Sequence, residues 1–374
     1  ALMSHRNYGV DNTGNVRVWD AEATLAGFCL SVVLDGDEDG VRDLEGNEQA
    51  MKLSDLRRNI RSAIMNDSPE DSEGGNTTFN LLELGAGQAG LAGLAMAAAS
   101  LLLEGHAVGD NRKSMKGVSK MKPLNVILTD GHPKCVDNNE ICAKMMSKSE
   151  NLNKVQIEAR LLLWDSSSKG ADACRQMNKT VGDLAMDESD NTGRSESNCE
   201  GQSITANISA DEGLYQLCLS SDCVHFQEFH DGLFATIART MVVSGIALLC
   251  QPKRGTSLPN FMALVDAVNA SEVDGSINND GIQCSKTNGG KVEARGPLFQ
   301  MNLFEDFDTK VSAMHTTLLS ESKTTMKNVP NAKRSSQYDP NRHRPLLLVL
   351  QKLRLYDEDL DGGLARHHVK MRDM

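Results

Sequence analysis

Four apolar runs in the chain end in residues that can hold or react with a small polar ligand. The first, Leu81-Leu82-Glu83-Leu84, runs into Gly85-Ala86-Gly87-Gln88-Ala89-Gly90 and then into an Ala/Leu-rich stretch. Gly85 and Gly87 permit a tight turn whose backbone approaches a ligand with no side chain in the way. The second run ends in Leu128-Thr129-Asp130, where one carboxylate can accept hydrogen bonds from both hydroxyls of a ribose. The third ends in Leu161-Leu162-Leu163-Trp164-Asp165, and an indole there can flank or stack on a purine. The fourth ends in Ser220-Ser221-Asp222-Cys223-Val224-His225-Phe226, placing polar groups beside the reacting end of the ligand. Taken singly, these are a tight turn, a helix-capping carboxylate, a core aromatic and a polar loop. Four such tips in chain order point instead to nucleoside binding.

The tips need a scaffold, and the pattern between them supplies one. Expected strands are Phe79–Leu84, Asn125–Thr129, Val155–Leu163, Leu214–Ser220, Met241–Cys250 and Pro345–Leu355; expected helices are Ala89–Glu104, His132–Ser147, Glu228–Met241 and Ser257–Asn269. Strand and helix in alternation imply a mostly parallel sheet covered on both faces. In such open sheets ligands lie outside the carboxyl ends of the strands, where strand order reverses. Polar stretches at 35–75, 109–122, 166–211 and 321–341 read as long inserts. The basic insert at 109–122 also explains why Asp130 lies further from the turn than the roughly 20 residues of a dinucleotide fold.

Composition narrows the classes. With 374 residues, of which 40% are hydrophobic and 4% aromatic, the chain can bury one large core or two modest ones. Its most apolar stretch, Leu91–Leu103, is shorter than the roughly 20 residues of a membrane span, so no membrane association is expected. A net charge of -12 argues against nucleic acid as a partner. Local basic clusters stand at Arg112, Lys113, Lys116, Lys120 and Lys122, and at Lys333, Arg334, Arg342 and Arg344. The nine cysteines lack C-x-x-C pairs, which suits a reducing compartment, the cytoplasm first and the nucleus second. Asp35-Gly36-Asp37-Glu38-Asp39-Gly40 begins like a calcium loop, but Gly46 stands where the twelfth-position glutamate belongs, so no metal site is expected.

Two enzyme classes fit the turn. Gly85-x-Gly87-x-x-Gly90 matches the nicotinamide-dinucleotide fingerprint literally, whereas Glu83 before the turn and Trp164 at a strand tip do not belong to it. Together the segments resemble the seven-strand class I lysine methyltransferases, and most nearly the calmodulin-lysine N-methyltransferases. Asp11-Asn12-Thr13-Gly14-Asn15-Val16 with Trp19 and Glu22, Leu91-Ala92-Gly93-Leu94, and Leu128-Thr129-Asp130-Gly131 with Lys134 and Asn138 carry that resemblance. So do Ser221-Asp222-Cys223, Arg254-Gly255-Thr256-Ser257-Leu258 with Phe261, and Arg344-Pro345-Leu346-Leu347-Leu348-Val349-Leu350.

The resemblance implies a Rossmann-like α/β fold: a seven-strand, mostly parallel sheet with an antiparallel C-terminal strand and helices on both faces. It implies S-adenosyl-L-methionine as cofactor and a calmodulin lysine as methyl acceptor; apart from the resemblance, a monomer is expected, the sequence itself leaving the oligomeric state open. Trp19 would close over the cofactor; Gly85, Ala86 and Gly87 would line its methionine portion, and Glu83 before the turn is counted with them as cofactor-binding. Asp130 would hold the ribose, Trp164 the adenine, and Ser221 would give a backbone contact. Asp222 would position the acceptor amine, with His225 or Phe226 as wall; His225 stands where related enzymes carry an aromatic residue. The expected organisation is an amino-terminal segment, 1–34, packed on the core, an acidic flexible insert, 35–77, a catalytic domain, 78–355, with inserts near 105–122, 166–211 and 321–341, and a tail, 356–374.

Overall fold

Apolar runs without polar alternation bury on both faces, so they suit the interior of a parallel sheet. The computed structural model describes residues 20–34, 52–66, 78–108, 120–148, 154–187, 213–253, 255–270, 296–305, 307–308, 311–314, 316–317, 320 and 344–373. Strands β1 (Met65–Asn66) and β3 (Lys120–Met121) form a small antiparallel pair. The main sheet holds β2 (Phe79–Leu84), β4 (Leu124–Asp130), β5 (Val155–Leu161), β6 (Tyr215–Ser221), β7 (Met241–Pro252), β8 (Phe299–Phe304) and β9 (Pro345–Lys352). Their order is β5-β4-β2-β6-β7-β9-β8, with the first five parallel and β9 antiparallel to both of its neighbours. This is the expected Rossmann-like seven-strand sheet. Strand order reverses between β2 and β6, and the tips of those two strands are where open sheets of this kind take their ligands.

One face is covered by α1 (Asp20–Leu34), α2 (Leu53–Ile64) and α3 (Leu91–Val108), with α4 (Pro133–Met146) beside them. The other is covered by α5 (Ser168–Asp187), α6 (His230–Thr240), α7 (Ser257–Asn269) and α8 (Asp361–Asp373). Period-2 alternation divides β2 between the two cores: Leu81 faces the first, Leu82 and Leu84 the second. Glu83 therefore points under α3.

The structure corrects several expected boundaries. Within the stretch 35–77, read as an acidic flexible insert, residues 53–66 form α2 and β1. Leu53, Leu56, Ile60 and Ile64 recur at helical spacing and are buried, a signal hidden by the surrounding charge. Within 166–211, α5 forms because Ala171, Cys174 and Met177 share one buried side. The expected tail, 356–374, is part of the domain: α8 packs on α6 and α7, with Ala365 fully buried. Strand β8, the seventh, was given no place among the expected strands; its half-buried edge position gives it no continuous apolar run. Strand β5 ends at Leu161 rather than Leu163, so Trp164 stands in the loop beyond it. Apart from residues 52, 166 and 167, the remainder of those inserts and all of 321–341 lie outside the described residues.

Candidate cofactor and acceptor site

The Gly-rich turn is shaped by what packs against it. Gly85, Gly87 and Gly90 have φ of 64°, 59° and 52°, the left-handed region that disfavours a Cβ. Sequence reasoning assigned the glycines to close approach of a ligand, but their bare faces meet protein. A Cβ on Gly85 would collide with the Cys223 sulfur and lie 3.1 Å from the Trp164 ring, and one on Gly87 would lie 3.0 Å from Glu22 Oε1. The buried Ala86 N–H donates to the Thr129 carbonyl at 2.8 Å, tying the turn to the tip of β4.

Two carboxylates brace the turn from below and from the side. Glu83, 2% exposed, accepts the Gly93 N–H at 2.7 Å, so it anchors the first turn of α3 rather than facing the open crevice. Burial pushes its carboxyl up to about 8; the Gly93 and Ala92 amides oppose that shift and the Glu22 carboxylate adds to it. Asp130 Oδ2 accepts the Gly87 N–H at 2.9 Å and Oδ1 the His132 N–H at 2.8 Å. Burial raises this carboxyl also, against the pull of those two amides. With the Cys135 thiol as a third donor, the Asp130 carboxylate has one lone pair left for a ligand hydroxyl.

The raised Glu83 value has a measurable consequence. The unfolded chain releases this proton near 4.5 and the folded protein near 8. Between those values the native state binds more protons, so stability is greatest below the lower one and falls as pH rises toward the higher. The slope from this group is at most about 1.4 kcal/mol per pH unit. Glu83→Gln keeps an acceptor oxygen for Gly93 and is expected to flatten that slope. Urea midpoints compared near pH 5 and near pH 8 check this; equal pH dependence in both proteins would place the proton elsewhere.

Trp164 brings its ring over Gly85 and leaves its Nε1 as a buried donor without a protein partner. Ser221, at the tip of β6, likewise holds a buried hydroxyl with no partner. Glu83, Gly85, Ala86, Gly87, Asp130, Trp164, Ser221 and Asp222 are thus gathered at neighbouring carboxyl tips of β2, β4, β5 and β6. Trp19 lies outside the described residues.

Beyond Ser221 the chain turns through a strained position. Asp222 has φ 55°, one of two non-glycine residues in this region among the described residues, and its N–H donates to the Cys250 carbonyl at 3.0 Å. His225 is exposed and meets Phe226 edge-on at 5.1 Å between ring centres; Phe226 meets Phe229 at 6.3 Å. The expected wall of His225 and Phe226 is therefore an aromatic cluster that also includes Phe229. The loop is held from beneath: Ser257 Oγ donates to the Val224 and His225 carbonyls, Gln251 Oε1 accepts the Val224 N–H at 3.2 Å, and buried His230 Nε2 contacts the Val224 carbonyl at 2.8 Å.

Several supporting residues escaped sequence reasoning. Asn139, fully buried on α4, donates to the Gly87 carbonyl at 3.2 Å. Its signal was legible as a polar residue at the i+4 spacing of buried Cys135 and Ala143; Asn138, named for the resemblance, precedes it. Cys223 donates to the Leu84 carbonyl at 3.4 Å, and burial pushes its thiol up, which suits packing rather than nucleophilic attack.

No family model matches the chain. Among solved structures it is similar to SAM-dependent methyltransferases from Methanosarcina mazei, at 10% identity over 74% of this chain and 93% of that one, with a TM-score of 0.31. It is also similar to the [4+2]-cyclase SpnF, at 9% identity over 90% and 97% of the two chains, TM-score 0.34. A third is the YcgJ protein from Bacillus subtilis, at 9% identity over 75% and 93%, TM-score 0.29.

Proposed function

We propose that the protein is an S-adenosylmethionine-dependent methyltransferase whose acceptor is a lysine side chain of another protein, calmodulin in the first instance. The observation that carries this reading is the meeting, at the reversal of strand order, of the Gly85–Gly87 turn, the Asp130 carboxylate, the Trp164 indole and the strained Asp222. The residues fit the cofactor. Asp130 retains a lone pair for a ribose hydroxyl, and the Trp164 Nε1 and Ser221 hydroxyl are buried groups in want of partners.

When bound, the cofactor would supply a sulfonium methyl group that a neutral amine attacks in line, the N–C bond forming as the S–C bond breaks, with S-adenosylhomocysteine leaving as a neutral thioether and the amine's surplus proton passing to water. The chain's own residues must hold and prepare that amine. Asp222 accepts a hydrogen bond from it and fixes its direction, and holding the reacting groups in line supplies most of the rate. Phe226 and Phe229, with His225 at the rim, exclude water from the approach. Desolvation lowers the acceptor ammonium from its usual pKa of about 10.4 and favours the neutral form.

Calmodulin as acceptor is supported by the sequence segments that resemble its lysine methyltransferases. Long-range charge opposes it, since an acidic partner approaches a chain of net charge -12. The basic cluster from Arg112 to Lys122 offers local complementarity. On this reading the protein works as a monomer in the reducing cytoplasm and nucleus.

The test is transfer of radiolabelled methyl groups to unmethylated calmodulin and to a cell extract, with Gly85→Arg as control. Label in calmodulin that disappears in the control is expected. Label confined to another protein would keep the methyltransferase and discard calmodulin. No label, with binding of a nicotinamide dinucleotide instead, would favour an oxidoreductase.

A further inference from the structure

Resting on the cofactor reading above, we infer that Arg239 and Glu358 are positioning residues for the adenine side of the site, holding the loop that carries Trp164 from the opposite side. Trp164 lies beyond the end of β5, so no strand pairing fixes it. The next three residues are fixed instead by one buried guanidinium. Arg239 on α6 donates to the Asp165 carbonyl at 2.7 Å, the Ser166 carbonyl at 3.2 Å and the Ser167 carbonyl at 3.3 Å. Nε and Nη2 also form a two-pronged pair with Glu358, Nε to Oε1 at 2.5 Å and Nη2 to Oε2 at 2.7 Å, so that the two Nη2 hydrogens are shared between Glu358 and the Ser166 and Ser167 carbonyls. A planar fork can satisfy both sides at once, which a lysine cannot do.

Other contacts converge on the same loop. Arg366 on α8 donates to the Ser166 carbonyl at 2.9 Å, and Ser166 Oγ donates to Asp231 at 2.8 Å. Gly232 leaves room for the Trp164 carbonyl, against which a Cβ would sit at 2.5 Å. The segment after β9, read from sequence as a tail, therefore shapes the cofactor site. It does so through Glu358, whose carboxylate orients the guanidinium that orients the loop.

The experiment measures binding of S-adenosylhomocysteine by calorimetry and by tryptophan emission in the full chain, the Trp164 share being the part that Trp164→Phe removes. Glu358→Gln is expected to weaken binding about tenfold and to shrink the Trp164 emission change. In transfer assays the loss falls on KM for the cofactor. Arg239→Lys combined with Glu358→Gln should be little worse than the poorer single variant, because the two act through one contact. Arg366→Gln, a change at an exposed side chain that leaves the ion pair intact, should weaken binding in the same direction by less.

Parent affinity and emission in folded Glu358→Gln, or parent values in Arg366→Gln should the first variant not fold, would overturn the positioning role alone. A parent protein that binds no adenosyl ligand would overturn the cofactor reading and this inference with it.

Discussion

Gly85→Ala is expected to weaken binding of S-adenosylhomocysteine by about a hundredfold or more, corresponding to about 2.7 kcal/mol. Two costs combine at this position. The backbone stands at φ 64°, where a Cβ costs roughly 1–2 kcal/mol. The added methyl would also meet the Cys223 sulfur and the Trp164 ring, and overpacking of this kind typically costs about 1–3 kcal/mol. Relief of either cost moves the turn or the indole, and both belong to the site. Gly85→Ala with Cys223→Ala gives a sharper test, because removing the sulfur leaves the backbone strain and the indole contact. Thermal melts should show partial recovery in the double variant, while calorimetry should show affinity still below the parent. Full affinity in Gly85→Ala would mean that the turn and Trp164 do not form the binding site.

The second large effect is expected at Asp222. Asp222→Asn preserves the shape of the side chain and tolerates the left-handed backbone, but removes the charge. Methyl transfer should fall by about a hundredfold, the lower range for a side chain that directs proton or amine chemistry, while cofactor affinity changes little. Asp222→Gly separates site from scaffold. Glycine adopts φ 55° without strain, so this variant should gain about 1 kcal/mol of stability and still lose transfer. Greater stability with less activity is the signature of strain retained for function. A destabilised glycine variant, or transfer at the parental rate in Asp222→Asn, would assign the carboxylate to the scaffold.

The candidate site was legible to the extent that its residues sit at strand ends. Glu83, Gly85, Gly87, Asp130 and Ser221 follow apolar runs, and hydrophobic pattern and turn chemistry are local properties. Trp164 was found for the right neighbourhood and the wrong reason, since its strand stops three residues earlier and the loop is held by Arg239. Glu22 and Asn139 were not legible as parts of one turn. They approach Gly87 from α1 and α4, and spacing along the chain carries no information about which helices lie beside which strand tip.

The missed elements divide in the same way. Helix α2 carries a clear apolar stripe, but it lies in a stretch whose charge pointed to an insert. The segment from Arg354 to Asp373 carries little apolar pattern of its own; its order comes from Arg354 pairing with the buried Asp361 and from packing on α6 and α7. Local sequence was thus sufficient for the alternation of strand and helix, the Gly-rich turn and the polar strand tips, because each depends on neighbours within a few residues. Tertiary structure decided what the glycines avoid, why burial pushes the Glu83 carboxyl up, and how the last helix reaches the Trp164 loop. Those outcomes depend on burial and on hydrogen bonds between groups up to 200 positions apart in the chain, as between Arg366 and Ser166.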